Sequence, residues 1–473
     1  MDQAPSPRSA NADMNTIANA PATTSSADAS DAEPALVLAF CARGRGVGLH
    51  CRIPAGPGAL LLGRGAEPFH QPMLDPRMSE RHAEVRLEGG QAVVRDLGSP
   101  RGTFLNGERL LSPRLLRRGD VLRLGDTLLV YAPGTQLAAV AEEELVGAGR
   151  EMVAVRRSID AIAARKHSVV ITGETGTGKE VVARILHQRS GRKGPFLAVN
   201  CAAFTEGLLA AELFGHVRGA FTGAFGDSQG LLRAASGGTV LLDEMADMPL
   251  SLQANLLRVL EAREVRPVGA ALPVSIDVRI ISTSNRELSE LVRAGAFRAD
   301  LFARLSQWTI RMPRLADRRE DIPALITALL ERCDGGGRAL TPDLAEALLL
   351  HEWPLNVRGL FNVLAVAVIA GPAKGPLGLG YDVRTALDVT RSLQRSPPAA
   401  LPASAHAAVA PDREALALLL TQFQGRVAAL GRHLGFSRPK LYRLLEAHGL
   451  DPASYRRDRA ERPKSAGEEP RQE

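Results

Sequence analysis

Residues 167–180 read His-Ser-Val-Val-Ile-Thr-Gly-Glu-Thr-Gly-Thr-Gly-Lys-Glu. The first six, His167 to Thr172, are β-branched and apolar enough for a buried strand. The glycines then break any regular element, and a helical pattern resumes at Lys179. A strand, a Gly-x-x-x-x-Gly-Lys loop and a helix start form a phosphate cradle. The glycines let backbone N–H groups converge on an anion, and the helix N-terminus adds its dipole. The stretch therefore predicts a nucleotide-binding α/β domain. Its candidate ATP contacts are Gly173, Glu174, Thr175, Gly176, Thr177, Gly178, Lys179 and Glu180. Lys179 is placed to reach the β- and γ-phosphates. Where a generic cradle has Ser or Thr after the lysine, this chain has Glu180.

Further strands flank the cradle. Phe196–Asn200, Thr239–Leu242 and Val278–Ile281 are short apolar runs separated by helical patterns, which predicts a parallel sheet over residues 144–315. The run Thr239-Val-Leu-Leu ends in Asp243-Glu244. At a strand end facing a phosphate loop, Asp243 is suited to hold magnesium and Glu244 to polarise a water. Between the two halves lies Gly219-Ala220-Phe221-Thr222-Gly223-Ala224. A phenylalanine bracketed by glycines fits neither a helix nor a central strand, so the segment reads as a protruding apolar tip.

Working outward, the chain of 473 residues has room for about three domains. With 45% hydrophobic and 23% charged residues it is ordinary globular material. The net charge of +6 permits a nucleic-acid partner without requiring one. Cys41, Cys51, Cys201 and Cys333 form no Cys-x-x-Cys pair, which predicts neither a disulfide framework nor a zinc site. The N-terminus lacks the pattern of a signal peptide, and no run approaches ~20 apolar residues. The expectation is a cytoplasmic protein with no membrane partner.

Residues 1–33 are small and polar, a composition expected to be disordered. Residues 34–134 carry many short apolar runs punctuated by turn residues, which predicts an all-β sandwich. Residues 316–370 have apolar groups at helical spacing and form an expected helical lid. Residues 371–411 are a Pro/Gly/Ala-rich linker with a short helix near 383–393. Residues 412–455 return to a helical pattern, and 456–473 form a charged tail.

The continuous pattern from 144 to 370, with the hexapeptide 219–224 at its centre, resembles the AAA+ activators of sigma-54 RNA polymerase. The resemblance implies an ATPase working as a ring, most commonly a hexamer, with ATP and Mg²⁺ at subunit interfaces. It implies that Gly219, Ala220, Phe221, Thr222, Gly223 and Ala224 contact sigma-54. Arg298 and Arg304, in Phe297-Arg-Ala-Asp-Leu-Phe-Ala-Arg304, match the arginine-finger segment that enters a neighbour's site. Ser284-Asn285 match the first sensor, where Thr usually precedes the Asn. Arg358, in Trp353-Pro-Leu-Asn-Val-Arg358, matches the second sensor, with Leu355 and Gly359 replacing the usual Gly and Glu. Asn200 matches the residue that holds the catalytic glutamate back.

Residues 34–134 resemble a forkhead-associated (FHA) domain through Gly63-Arg64, Ser79-Glu-Arg-His82, Asp96-Leu-Gly-Ser99, Gly102-Thr103 and Asn106-Gly107. That implies binding of a phosphothreonine peptide by Arg64, Ser79, Arg101 and Asn106, with Asn106 bonding either peptide or loop backbone. Arg101 stands where Asn is usual, and Glu80 where a hydrogen-bond donor is usual, so a phosphate-independent docking module is the alternative. Residues 412–455 resemble a Fis-type helix-turn-helix, with Ser437 as N-cap and Arg438, Lys440, Tyr442 and Arg443 facing enhancer DNA. A helical hairpin used for dimerisation is the alternative there. For the whole chain, the alternatives are an AAA+ remodelling factor outside transcription and a phosphopeptide scaffold.

Overall fold

The computed structural model describes residues 34–41, 47–56, 58–68, 73–133, 145–393, 413–423, 427, 430 and 438–455. It divides into two compact units, Met1–Arg395 and Ser396–Glu473.

The first unit begins with the expected β-sandwich. A six-stranded sheet holds Ala35–Phe40, His50–Arg52, Thr103–Leu105, Glu108–Arg109, Val121–Leu124 and Thr127–Tyr131. It faces a four-stranded sheet of Ala59–Leu62, Ala83–Glu88, Gln91–Asp96 and Arg114–Leu115. Leu36, Leu38, Leu122, Leu124 and Leu129 point into the space between the sheets, against Leu62, Val85 and Val94.

The alternate residues of the six-stranded sheet are equally apolar and equally buried. Val37, Ala39, Val121, Leu128 and Val130 form one continuous cluster with lid side chains such as Ile322, Leu325, Ile326, Leu329, Leu344 and Leu348. The sandwich is therefore packed flat against the lid. A solvated outer face would alternate with polar residues; here Leu128-Leu129-Val130 is apolar throughout because both faces are covered.

The core of the α/β domain is a five-stranded parallel sheet in the order Phe196–Asn200, Thr239–Asp243, Arg279–Ser284, Val169–Thr172, Trp308–Arg311. Helices Arg150–Ile162 and Lys179–Gln188 cover one face through Met152, Ile159, Val182 and Leu186. Leu252, Leu256, Leu301 and Leu305 belong to the other large cluster. Every strand expected around the cradle is present, and the strand beginning near Val278 runs on to Ser284.

The lid comprises helices Ile322–Arg332, Pro342–Leu350 and Asn356–Ala370. Trp353 is buried at its centre, and its indole N–H donates to the Leu348 carbonyl at 2.9 Å. The short helix expected in the 371–411 stretch runs Tyr381–Ser392 and packs on the lid through Val383 and Leu387. Of the two departures from the usual lid sequence, one accommodates the other. A Cβ on Gly359 would lie 3.2 Å from the Leu355 Cβ, so the missing side chain leaves room for the added one.

The second unit contains helices Arg413–Gln422 and Arg438–Ala447. Leu416, Leu420, Val427, Leu430, Leu441 and Leu445 form its core, with Leu444 partly buried against it. The expected core role of Leu441, Leu444 and Leu445 agrees with this. Most of the expected first helix of the helix-turn-helix lies outside the described residues. So do Ser437 and the side chains of Arg438, Lys440, Tyr442 and Arg443.

Candidate functional site: a phosphate loop, a protruding tip and a peptide-binding edge

The phosphate loop leaves strand Val169–Thr172 at its C-terminal end. Gly176 and Gly178 have φ of 80° and 102°, the left-handed region that glycine adopts without cost. Gly176 is needed for space as well, since a Cβ there would lie 2.2 Å from the Leu355 carbonyl oxygen. Lys179 opens the following helix and is only 7% exposed. Its Nζ donates to the Gly173 carbonyl at 2.7 Å and the Glu174 carbonyl at 3.2 Å. Burial lowers the Lys179 pKa, while Glu244 and Asp243 pull it back up. The carboxylates expected from sequence thus lie within electrostatic reach of the lysine. Glu180 turns outward and pairs with Arg184 at 2.8 Å on the helix surface.

Asp243 and Glu244 sit at the end of their strand. Burial raises the Glu244 pKa, and the nearby Lys179 opposes it. Glu244 Oε2 is buried with no hydrogen-bond partner. A buried, unpartnered carboxylate oxygen with increased proton affinity suits a group that accepts a hydrogen bond from a reacting water. Asn200 lies beside Asp243 in the strand register, and its Nδ2 donates to Asp243 Oδ2 at 3.4 Å. The sequence expectation paired Asn200 with Glu244; the strand register directs the amide to the aspartate instead.

The next strand supplies a residue that sequence reading passed over. The Thr283 hydroxyl donates to Asp243 Oδ1 and accepts from the Glu244 backbone N–H at 3.2 Å. Ser284, assigned to the sensor with Asn285, is fully buried, and its hydroxyl bonds the Arg286 backbone. No local signal marks Thr283, because its role comes from lying on the strand beside Asp243.

The lid closes directly on the loop. Asn356 is buried at φ 50°, and its Nδ2 donates to Glu174 Oε2 and the Thr175 carbonyl, both at 3.1 Å. Val357 N–H donates to the Gly176 carbonyl at 3.0 Å. Arg358, one residue further, is exposed, and its charge is felt by Lys179. Arg318 Nη2 donates to the Thr177 carbonyl at 3.4 Å. Neither Asn356 nor Arg318 was singled out from sequence.

Arg298 and Arg304 are exposed. Arg298 forks onto Asp300 at 3.0 and 2.7 Å, and Arg304 pairs with Glu261 at 3.4 Å. Both pairs are at the surface, where such contacts contribute little.

Residues 219–224 form an excursion closed at its neck by paired His216 and Ser228 backbones at 2.8–2.9 Å. Gly219 and Gly223 have φ of 80° and 104°, and a Cβ on either would meet open space, so backbone conformation requires them. Phe221 is 39% exposed because its ring lies edge-on against His216, centroids 5.0 Å apart. The neighbouring Phe225 is 90% exposed. A hairpin of Glu264–Val265 and Val274–Ser275 supports the excursion, with Val217 N–H donating to the Val268 carbonyl at 3.1 Å. The hairpin presents Leu272, 77% exposed.

In the sandwich, His82 ties two loops. Its Nδ1 accepts the Ser79 backbone N–H at 3.1 Å, which leaves Nε2–H to donate to the Gly102 carbonyl at 3.2 Å. Gly63 has no room for a side chain, since a Cβ would lie 1.9 Å from the Glu80 carbonyl oxygen. Arg64 is half-exposed, and its Nη2 lies 3.8 Å from the exposed Glu80 carboxylate. Asp96 accepts hydrogen bonds from Ser99, Thr103 and Gly98; burial pushes its carboxyl up, and these bonds bring it below its usual value. Arg64, Ser79 and Arg101 thus lie on loops fixed by internal bonds. Asn106 is committed elsewhere: Nδ2 donates to Asp120 Oδ1 at 2.8 Å, and Oδ1 accepts Val121 N–H at 2.9 Å. Next to it, Gly107 lies against the lid side chain Leu350. Of the two roles expected for Asn106, peptide or loop backbone, the structure shows the second. A phosphothreonine peptide is expected to bind more tightly than its unphosphorylated twin, and Arg64→Ala to weaken it about tenfold or more. Calorimetric titration checks both; equal affinities for the two peptides would exclude phosphate recognition.

Comparison with known proteins agrees with this division. Residues 145–311 match the Sigma-54 interaction domain, 60–125 the FHA domain and 316–375 the AAA+ ATPase lid domain. The chain carries these three domains. UacR of Escherichia coli K12, named for sigma-54-dependent transcriptional regulation, is 48% identical over 237 residues, 49% of this chain and 40% of UacR. The transcriptional regulatory protein GlrR of the same organism is 42% identical over 294 residues, 61% of this chain and 64% of GlrR. The chain thus spans less than two thirds of the length of these relatives. The crystal structure of NtrX from Brucella abortus in complex with ATP aligns at 33% identity and a TM-score of 0.47, over 65% of this chain and 70% of that one. Among the described residues no helix is long and apolar enough to cross a membrane.

Proposed function

We propose that this protein hydrolyses ATP and uses the energy to drive residues 219–224 against sigma-54 RNA polymerase holoenzyme, opening promoter DNA. The carrying observation is one domain, matched to the Sigma-54 interaction domain, that holds both parts. Lys179, Asp243 and Glu244 are drawn together at one end of the sheet, and a glycine-hinged aromatic excursion projects from the same domain.

The roles follow from the chemistry of each group. Backbone N–H groups of the 173–178 loop and the Lys179 ammonium hold the phosphates. Asp243, with its oxygens already oriented by Thr283 and Asn200, is the residue to hold magnesium, which supplies charge neutralisation on the phosphates when bound. Glu244 orients and polarises the attacking water. Asn285 and Arg358 report the γ-phosphate to the sheet and the lid. Arg298 and Arg304, exposed and held by weak surface pairs, are free to reach the site of a neighbouring copy, which makes the working form a homo-oligomer, a hexameric ring.

The sandwich supplies a second input: a phosphothreonine partner bound through Arg64, Ser79 and Arg101. The second unit binds enhancer DNA through Arg438, Lys440, Tyr442 and Arg443, so that affinity falls steeply with salt. The protein acts in the cytoplasm. The deciding experiment is transcription in vitro from a supercoiled sigma-54 promoter. Open complexes should form only with this protein and hydrolysable ATP; formation with a non-hydrolysable analogue, or none at all, rejects the reading.

A further inference from the structure

The sandwich touches the ATPase through charged as well as apolar groups. Arg118, on the turn before Val121–Leu124, is the bridge. Its Nη1 donates to Glu151 Oε1 at 2.8 Å, and its Nη2 to Glu320 Oε1 at 2.7 Å. Glu151 is in the first turn of helix Arg150–Ile162, at the edge of the sheet domain. Glu320 is in the turn Leu315–Asp321 that leads into the lid. One guanidinium from the sandwich thus joins the two halves of the ATPase across their hinge.

From that hinge, one short path leads to the phosphate loop and another to the start of helix Arg150–Ile162. Arg318, two residues from Glu320, departs from helical geometry at φ −133° and reaches the Thr177 carbonyl. Asp321, one residue on, accepts the Ala148 and Gly149 backbone N–H groups at 2.7 Å each, fixing the strand-like approach to helix Arg150–Ile162. Glu320 packs there too, with its Oε1 2.7 Å from where a Gly149 Cβ would stand. The Glu320 side chain is 1% exposed, and its Oε2 has no partner. A carboxylate buried this far depends on an ion pair, and among the described residues Arg118 supplies it.

We propose that Arg118 is a positioning residue for the nucleotide site: by clamping Glu151 to Glu320 it fixes the hinge that sets Arg318 beside the phosphate loop. The sensor domain is then a working part of the ATP site. The inference rests on the reading that this chain hydrolyses ATP.

The test is steady-state ATP hydrolysis by the full-length protein, with thermal unfolding recorded for each variant. Arg118→Met is expected to raise KM for ATP at least about fivefold with a smaller change in kcat, since misplacement of binding elements acts on the ground state as well as the transition state. Arg118→Lys, which can hold one carboxylate, should recover part of the loss. Glu151→Gln leaves the buried Arg118–Glu320 pair intact and alters only a half-exposed position, so it should fold, and it should also raise KM. A purely structural role would lower the unfolding temperature and leave KM unchanged, which overturns the proposal. So does a raised KM in Arg118→Met with none in Glu151→Gln, because the clamp needs both arms. Wild-type protein that turns over no ATP rejects the underlying reading instead.

Discussion

Thr222→Ala is expected to abolish open-complex formation at a sigma-54 promoter while leaving ATP turnover within about twofold of wild type. The separation follows from geometry. The excursion is anchored at its neck by the His216 and Ser228 backbones and by the 264–275 hairpin, and Thr222 takes no part in either anchor. The nucleotide groups lie on other segments, at the ends of the strands Val169–Thr172, Thr239–Asp243 and Arg279–Ser284. Loss of the threonine hydroxyl and methyl therefore changes what the tip presents and leaves the site that turns over ATP. Abortive-initiation assays run beside phosphate release measure both quantities. Normal activation by the variant would remove the tip from the mechanism; loss of both activities would show that the substitution disturbs the fold. Phe225→Ser is a useful companion, since that ring is more exposed than Phe221 and stands next to the hexapeptide.

Arg298→Ala and Arg304→Ala are each expected to reduce ATP turnover by about 10³-fold, the range measured where an arginine is delivered to a phosphoryl-transfer site from outside. The fold itself makes little use of either side chain: Arg298 pairs with Asp300 and Arg304 with Glu261, both in solvent. A large kinetic loss with an unchanged melting temperature would thus point to work done on another copy. Mixing settles it. Lys179→Ala protein has a disabled cradle but intact arginines, and Arg298→Ala protein has the reverse. Mixed rings should regain part of the activity that neither variant has alone. Wild-type turnover in the single arginine variants, or no recovery from mixtures that demonstrably assemble, would reject the shared site.

The parts of this protein visible in the sequence are those whose physics is local. Strand runs such as Ala59–Leu62, Phe196–Asn200 and Thr127–Tyr131 appear in the structure with the boundaries their apolar patterns suggest. The phosphate loop was legible because glycine, lysine and a flanking strand form one short segment. What escaped depends on segments far apart in the chain. Thr283 matters because its strand lies beside Asp243, and Asn356 because the lid folds back over residues 174–176. Asn106 was open between peptide and loop backbone, and only the fold, which brings Asp120 and Val121 to its amide, decides for the loop. Arg118 could not be read at all, since its partners are 33 and 202 residues away. One long-range fact was visible and unread: Leu128-Leu129-Val130 is apolar on both sides, which a sandwich with one face in water would not tolerate.

That doubly covered sheet changes what truncation can reveal. Cutting away residues 34–134 to ask what the sandwich contributes would strip the lid of Val37, Leu128 and Val130 and leave Leu325, Ile326 and Leu329 facing water. The remnant would tend to aggregate or repack, and its behaviour would report a wounded lid more than a missing signal. Point substitutions at Arg64 and Arg101, which leave that apolar seam covered, are the cleaner way to test the proposed input.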